Sequence, residues 1–179
     1  MNPKTNITLI GMPGAGKSTI GIILAKYLTY GFIDTDILIQ INHQKSLQRI
    51  MDESGYLHLR HIEEGEILKL NIENHVIATG GSAVYSPKAM AHLKKISAVV
   101  FLQVTADILE KRIHNFATRG IAKSADQSFD ALFEERRILY ETYADITIDC
   151  ATMDQEELAE IISKKYLTDY KELLRMQEK

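Results

Sequence analysis

Eight residues near the start of the chain, Gly11-Met12-Pro13-Gly14-Ala15-Gly16-Lys17-Ser18, follow the spacing G-x-x-x-x-G-K-S. These residue types in this order can hold a string of phosphates. The glycines let the backbone bend and approach an anion with no Cβ in the way. Loop amides and the positive end of a following helix converge on negative charge. Lys17 can reach the outer phosphates, and the Ser18 hydroxyl can take a place on Mg²⁺. The flanking residues supply the elements this requires. Ile7-Thr8-Leu9-Ile10 reads as a strand leading in, and Ile20, Ile23, Leu24, Tyr27 and Leu28 form the apolar stripe of a helix leading out.

Phosphate binding names no reaction, and four further groups of residues narrow it. Asp34-Thr35-Asp36 stops an apolar run, which sets both carboxylates at the rim where the phosphate loop opens. One can hold Mg²⁺ through water, while the other orients a hydroxyl nucleophile or accepts its proton. A strand-ending turn suits the same residues. Arg136 falls near the middle of the helical arc Phe129, Leu132, Phe133, Leu139, Tyr140 and Tyr143. Facing the sheet, it must be paired, either with a bound anion or with an internal carboxylate. Arg60, on a helical stretch from Gly55 to Asn71, has Glu63 and Glu64 three and four residues on. An intrahelical ion pair accounts for that spacing. So does a guanidinium propped by a glutamate that offers its fork to a substrate carboxylate. Gly80-Gly81, after Val76–Thr79, is either a tight turn or a place where a ligand meets the main chain.

The elements that must position these groups alternate along the chain. Ile7–Ile10, Phe32–Asp34, Val76–Thr79, Val99–Val104 and Ile146–Ile148 read as buried parallel strands, with helical periodicity and caps such as Thr105 between them. That alternation predicts an α/β fold of three layers with ligands at the carboxyl ends of the strands. A chain of 179 residues suits one domain, 1–179, burying about 70% of its unfolded surface. Residues 114–127 lack periodicity and read as a mobile lid; residues 153–179 read as one or two amphipathic helices with a tail and carry no evident chemistry. A net charge of −3 argues against wholesale nucleic-acid or membrane-surface binding. No apolar run approaches the roughly 18 residues of a membrane span. Met1–Asn6 lacks a signal-peptide layout, and the one cysteine, Cys150, fits a reducing, cytoplasmic setting as a bland, partly buried thiol.

Together these residues resemble the shikimate kinase family, from about Thr5 to Asp149. The resemblance rests on the phosphate loop, Asp34-Thr35-Asp36, Leu59-Arg60-His61-Ile62-Glu63-Glu64, Gly80-Gly81, Arg119, and Arg136 ahead of Leu139-Tyr140. It implies the P-loop fold of nucleoside monophosphate kinases, with a five-stranded parallel sheet and a closing lid. The implied reaction moves the γ-phosphoryl group of ATP to the 3-hydroxyl of shikimate, on the way to chorismate and aromatic amino acids. By position, Gly11, Gly14, Ala15, Gly16, Lys17, Ser18 and Thr19 are implied to hold ATP, with Lys17 on the β- and γ-phosphates. Ser18 is implied to ligate Mg²⁺, with Asp34 near it through water. Asp36 is implied to hold the attacking hydroxyl as base, Arg60 and Arg136 to grip the carboxylate, and Gly80 and Gly81 to offer main-chain N–H groups. Arg119 is implied to close over the phosphates as a third catalytic residue beside Lys17 and Asp36, and Arg112 to stack near adenine. ATP and shikimate are the implied partners of a monomer. The chain departs from its relatives at Ser82, where they carry a third glycine, and at Arg119-Gly120-Ile121, where they carry Arg-Pro-Leu. It also departs at Gln40, at Ile138 and around Thr152-Met153. The glycine and lid changes keep two other readings open: a kinase for another hydroxy acid such as gluconate, and a nucleotide-binding relative without catalysis.

Overall fold

The computed structural model describes residues 4–112, 121–124 and 126–177, with side chains described to residue 169. Five strands form one parallel sheet: β1 (Asn6–Ile10), β2 (Gly31–Asp34), β3 (His75–Ala78), β4 (Ser97–Gln103) and β5 (Ile146–Asp149). All five expected strands are present, their ends displaced by a residue or two. Their order is β2-β3-β1-β4-β5. The centre of the sheet is apolar and closed off from water, with Ile7, Leu9, Val76, Ile77, Val99 and Val100 at 0% exposure. The edges differ from the sequence reading. β5 alternates between buried and exposed residues, and every residue of β2 is only partly covered. An edge strand has a neighbour on one side only, so its residues need not all be apolar.

Among the described residues seven α-helices flank the sheet: α1 (Lys17–Leu28), α2 (Thr35–His43), α3 (Leu47–Leu68), α4 (Pro87–Ile96), α5 (Ala106–Arg112), α6 (Phe129–Tyr143) and α7 (Gln155–Gln177). The helix expected from Gly55 starts eight residues earlier, at Leu47. Ser46 caps it by accepting from Arg49 N–H, and Gly55 (φ 79°, ψ 164°) breaks it into two segments at a kink. Residues 155–177 form one helix, packed on α1, in which Leu158, Ala159, Ile162 and Tyr166 are buried.

Topology decides where a ligand can sit. After β1 the chain crosses through α1 to the outer strand β2; after β3 it crosses through α4 to β4 on the other side of β1. The neighbours β3 and β1 therefore send their connections in opposite directions, which opens a crevice at their carboxyl ends. The phosphate loop follows β1 and Gly80-Gly81 follows β3, so both border that crevice. Helix starts differ in a telling way. Side-chain oxygens of Asp34, Ser46, Ser86 and Ser128 cap α2, α3, α4 and α6, whereas α1 starts at Gly16 (φ 95°) with no side-chain cap. The first amides of α1 are left for another acceptor.

Candidate active site

One cavity of about 610 Å³ runs along the crevice. Its floor is the phosphate loop from Pro13 to Thr19, one wall carries Asp36, Glu63 and Arg136, and the far end reaches Arg112, Met153 and Leu158. The structure thus brings Gly14, Ala15, Gly16, Lys17, Ser18, Thr19, Asp36, Gly80, Gly81, Arg112 and Arg136 to one cleft. Gly11 belongs behind the loop rather than on its face. At φ 146°, any Cβ there would stand 2.8 Å from the Leu102 carbonyl, so Gly11 is needed for close packing on β4. Arg119 lies outside the described residues.

Lys17, 8% exposed, folds back on its own loop, donating to the carbonyls of Gly11 at 2.8 Å and Met12 at 2.9 Å. Burial pushes its pKa down to about 8, against the pull of Asp36 and Asp34. The Ser18 hydroxyl donates to Asp34 Oδ2 at 2.6 Å, while Asp34 Oδ1 accepts from the amides of Asp36 (3.0 Å) and Ile37 (3.3 Å). Asp34 therefore both ends the strand and reaches the loop. Ser18 and Asp34 are hard oxygen donors side by side, the chemistry Mg²⁺ prefers. No group of three His, Cys, Asp or Glu side chains among the described residues could hold a metal. An ion here would complete its shell with phosphate and water.

Two arginines converge opposite these acids. Arg136, 1% exposed, donates through Nη2 to the Ala122 carbonyl at 2.8 Å, and Arg60 donates through its own Nη2 to the same oxygen at 3.1 Å. Neither takes a carboxylate partner among the ion pairs of the described residues. The intrahelical pairing of Arg60 is not formed: Glu63 accepts from Ser82 and Glu64 from Ser86 (2.5 Å). Arg60 lies over the Tyr85 ring at 3.5 Å and the Tyr56 ring at 5.0 Å, held by stacking rather than by countercharge. Burial, with Arg136 nearby, lowers its pKa. Nε of each arginine, Glu63 Oε1 and the Tyr85 hydroxyl are buried with no hydrogen-bond partner.

Gly80 does different work from that expected. Gly80 N–H is committed to Thr35 Oγ1 at 3.0 Å, so it is not a free donor. What Gly80 provides is room, since a Cβ on it would collide with Glu63 Oε1 and Asp36 Oδ1. On Gly81 a Cβ would stand 2.9 Å from Arg136 Nη1, and the Gly81 carbonyl accepts from Tyr140 at 2.7 Å. Asp36 and Glu63 thus converge over Gly80. Burial raises both carboxyl pKa values, helped by the Asp34 charge beside Asp36 and the Asp36 charge beside Glu63, to about 6 for Asp36 and about 7 for Glu63, against the pull of Lys17 and Arg136.

Sequence reasoning missed several of these groups. In the sequence Glu63 reads only as a partner for Arg60, Tyr85 belongs to no motif, and a backbone carbonyl such as that of Ala122 has no signature at all. Met153, Gln155 and Leu158 line the far end of the cavity from a segment that carries no evident chemistry in the sequence. Cys150 also borders it; burial pushes its thiol up to about 12, which keeps it an inert packing group.

Comparison with known proteins agrees with this geometry. The family model described as shikimate kinase matches residues 13–166. A shikimate kinase of Clostridium botulinum is 40% identical over 161 residues, covering 88% of this chain and 94% of its own. One from Caldanaerobacter subterraneus is 32% identical over 165 residues, covering 90% and 96%. The structure of a shikimate kinase from Acinetobacter baumannii in complex with shikimate superposes with a TM-score of 0.86 at 28% identity, over 92% of this chain and 94% of that one. On the family match and these relatives, the chain belongs to the shikimate kinase family, the ATP-dependent P-loop kinases of that name.

Proposed function

We propose that this protein transfers the γ-phosphoryl group of ATP to the 3-hydroxyl of shikimate, and that the Arg60–Arg136 pair selects the acceptor. The observation that carries this is the convergence of two guanidinium groups, from different helices, on the single oxygen of Ala122, with Nε of both left buried and unpaired. A buried cation without a carboxylate costs several kcal/mol. A carboxylate taking the place of the Ala122 carbonyl can accept from both forks at once. The amides of Gly14 to Ser18 and the uncapped start of α1 take the phosphates, with Lys17 swinging from the Gly11 and Met12 carbonyls to the outer ones. Ser18, and Asp34 through water, would hold Mg²⁺, which would supply neutralising charge on the phosphates. Asp36 aligns the hydroxyl and takes its proton as the O–P bond forms and the γ-phosphoryl leaves ADP. The raised Asp36 carboxyl suits a base, because it ionises near working pH yet holds a proton better than an ordinary aspartate. The resemblance assigns Arg119 to close over the phosphates and exclude water, Arg112 to the adenine, and the cytoplasm to a monomeric enzyme. Among the described residues no helix is long and apolar enough to cross a membrane.

The test is ADP release from Mg-ATP with shikimate or gluconate as acceptor. Shikimate-dependent release, with gluconate inactive, is the outcome the two arginines require. Preference for gluconate, or ATP binding with no acceptor-stimulated release, overturns the proposal.

A further inference from the structure

The two arginines of the cleft meet on one ring as well as on one oxygen. The guanidinium carbon of Arg60 lies 3.5 Å from the centre of the Tyr85 ring, and that of Arg136 lies 5.4 Å from it. Tyr85 ends a 3₁₀ turn, Ala83–Tyr85, that follows Gly80-Gly81-Ser82 and packs against α3 and α6, the helices that carry the arginines. Ala83 and Val84 anchor this turn in the core, and Tyr85 N–H closes it on the Ser82 carbonyl at 3.0 Å. Burial raises the Tyr85 pKa, so its hydroxyl keeps its proton and the ring meets the cations as a neutral face. That hydroxyl is buried with no hydrogen-bond partner, so setting the face there leaves a polar tip unsatisfied.

A ring and a carboxylate hold an arginine in different ways. A carboxylate takes the in-plane N–H groups of the guanidinium fork. An aromatic face attracts the cation from above its plane and takes none of them. We propose that Tyr85 is a positioning residue for the acceptor: its ring seats Arg60, and with it Arg136, in place of an internal countercharge, so that both forks are aligned yet free to grip a carboxylate. The inference rests on the reading of the two arginines as the anchors of the acceptor. Tyr56, four residues before Arg60 on α3, stands 5.0 Å from the same guanidinium and adds to its seat. Without the Tyr85 face, Arg60 keeps Tyr56 and its bond to the Ala122 carbonyl, which is the position the carboxylate is to take. The side chain then swings among rotamers, and binding must order it. That cost falls equally on the ground state and the transition state, because the carboxylate does not react.

The experiment compares Tyr85→Phe, which keeps the face, with Tyr85→Leu, which removes it. The first readout uses the empty protein and needs no turnover. Nitrogen-15 relaxation of the arginine Nε–H signals, with Arg60→Ala to assign them, reports how firmly Arg60 is held. Its Nε–H should be rigid in the wild type and Tyr85→Phe, and mobile in folded Tyr85→Leu. The second readout is steady-state kinetics of shikimate-dependent ADP release. Tyr85→Leu should raise the KM for shikimate about two- to tenfold, the scale for ordering one freed side chain, with kcat and the KM for Mg-ATP unchanged. Tyr85→Phe should match the wild type. In an Arg60→Ala background, most of the Tyr85→Leu factor should vanish, since the cation it seats is gone. A rigid Arg60 Nε–H in folded Tyr85→Leu overturns the proposal. So does a Tyr85→Phe protein as impaired as Tyr85→Leu, or the full KM factor in the Arg60→Ala background. If shikimate stimulates no ADP release at all, the functional reading fails, while the relaxation of Arg60 still judges the role of Tyr85.

Discussion

The two ends of the same sheet treat buried polar groups in opposite ways. Near the amino ends of the strands, Asn6 (1% exposed) donates to the carbonyls of Ile72 (2.7 Å) and Ile96 (3.0 Å) and accepts from His75 N–H (2.9 Å). The hydroxyls of Thr8 and Ser97 meet at 2.6 Å, and Ser97 also reaches the Leu93 carbonyl. Asp145 takes Val99 N–H, Lys4 and Lys94, each at 3.0 Å. At the carboxyl ends, Arg60, Glu63, Tyr85 and Arg136 each keep a buried atom with no partner. A protein satisfies polar groups where it needs stability and leaves them unsatisfied where a ligand is to satisfy them. The contrast separates the residues that hold the fold from those that hold the substrate.

Substitutions at the two ends should therefore fail in different assays. The largest effect belongs to Asp36→Asn, which should slow phosphoryl transfer about 10²- to 10⁴-fold, the usual worth of a general base, with ATP affinity nearly unchanged. A rate like that of the wild type would remove Asp36 from the mechanism. Next is Arg136→Met, a similar volume without the charge. It should weaken the carboxylated acceptor by roughly 2–5 kcal/mol, yet leave the empty protein as stable or up to about 2 kcal/mol more stable in urea, because an unpaired buried cation is gone. Asn6→Ala should do the reverse. It orphans two carbonyls and an amide, lowering stability by about 3 kcal/mol, while the KM for either substrate stays put. If Arg136→Met destabilised the empty protein as much as Asn6→Ala, the contrast between the ends would be false.

How much of this the sequence discloses depends on the kind of signal. The phosphate loop is contiguous and reads directly. The sheet centre reads almost as well, because Ile7, Leu9, Val76 and Val99 belong to apolar runs. The inward face of Arg136 follows from helical periodicity, since nothing else on that arc is charged. Edge strands and the start of α3 read less well: β5 alternates, and Gly55 interrupts a helix whose first segment has few apolar residues. The spacing around Arg60 fits two accounts equally and does not choose between them. Glu63 is three residues away on the same helix, but Ser82 from another loop claims it. Contacts made across loops, such as Ser82 to Glu63 or Ala122 to both arginines, have no period to betray them. Gly80 shows the same limit. Its sequence position marked a backbone approach, whereas the approaching groups are the protein's own carboxylates.

The smallest predicted effect tests the contrast through pH alone. Glu63 and Asp36 bind protons more tightly in the folded, empty protein than in the unfolded chain, where carboxyls titrate near about 4. Between that value and their raised folded values the native state holds more protons, so stability falls as pH rises. Asp145 has the opposite sign. Burial would raise it, but Val99 N–H, Lys4 and Lys94 outweigh burial and hold it below the usual carboxylate range. Its contribution is present above about pH 4 and lost only as pH falls through its depressed value. Lys17, lowered to about 8, gains stability with rising pH only above that value, so it does not blur the acid side. The empty wild type should thus lose stability between about pH 5 and pH 8 in urea titrations. Glu63→Gln should flatten that slope and gain about 2 kcal/mol at pH 8, whereas Asp145→Asn should lose stability at both pH values. A Glu63→Gln protein with the wild-type slope would mean that the Glu63 carboxyl is content in its site, and the cleft would then be no more strained than the opposite end of the sheet.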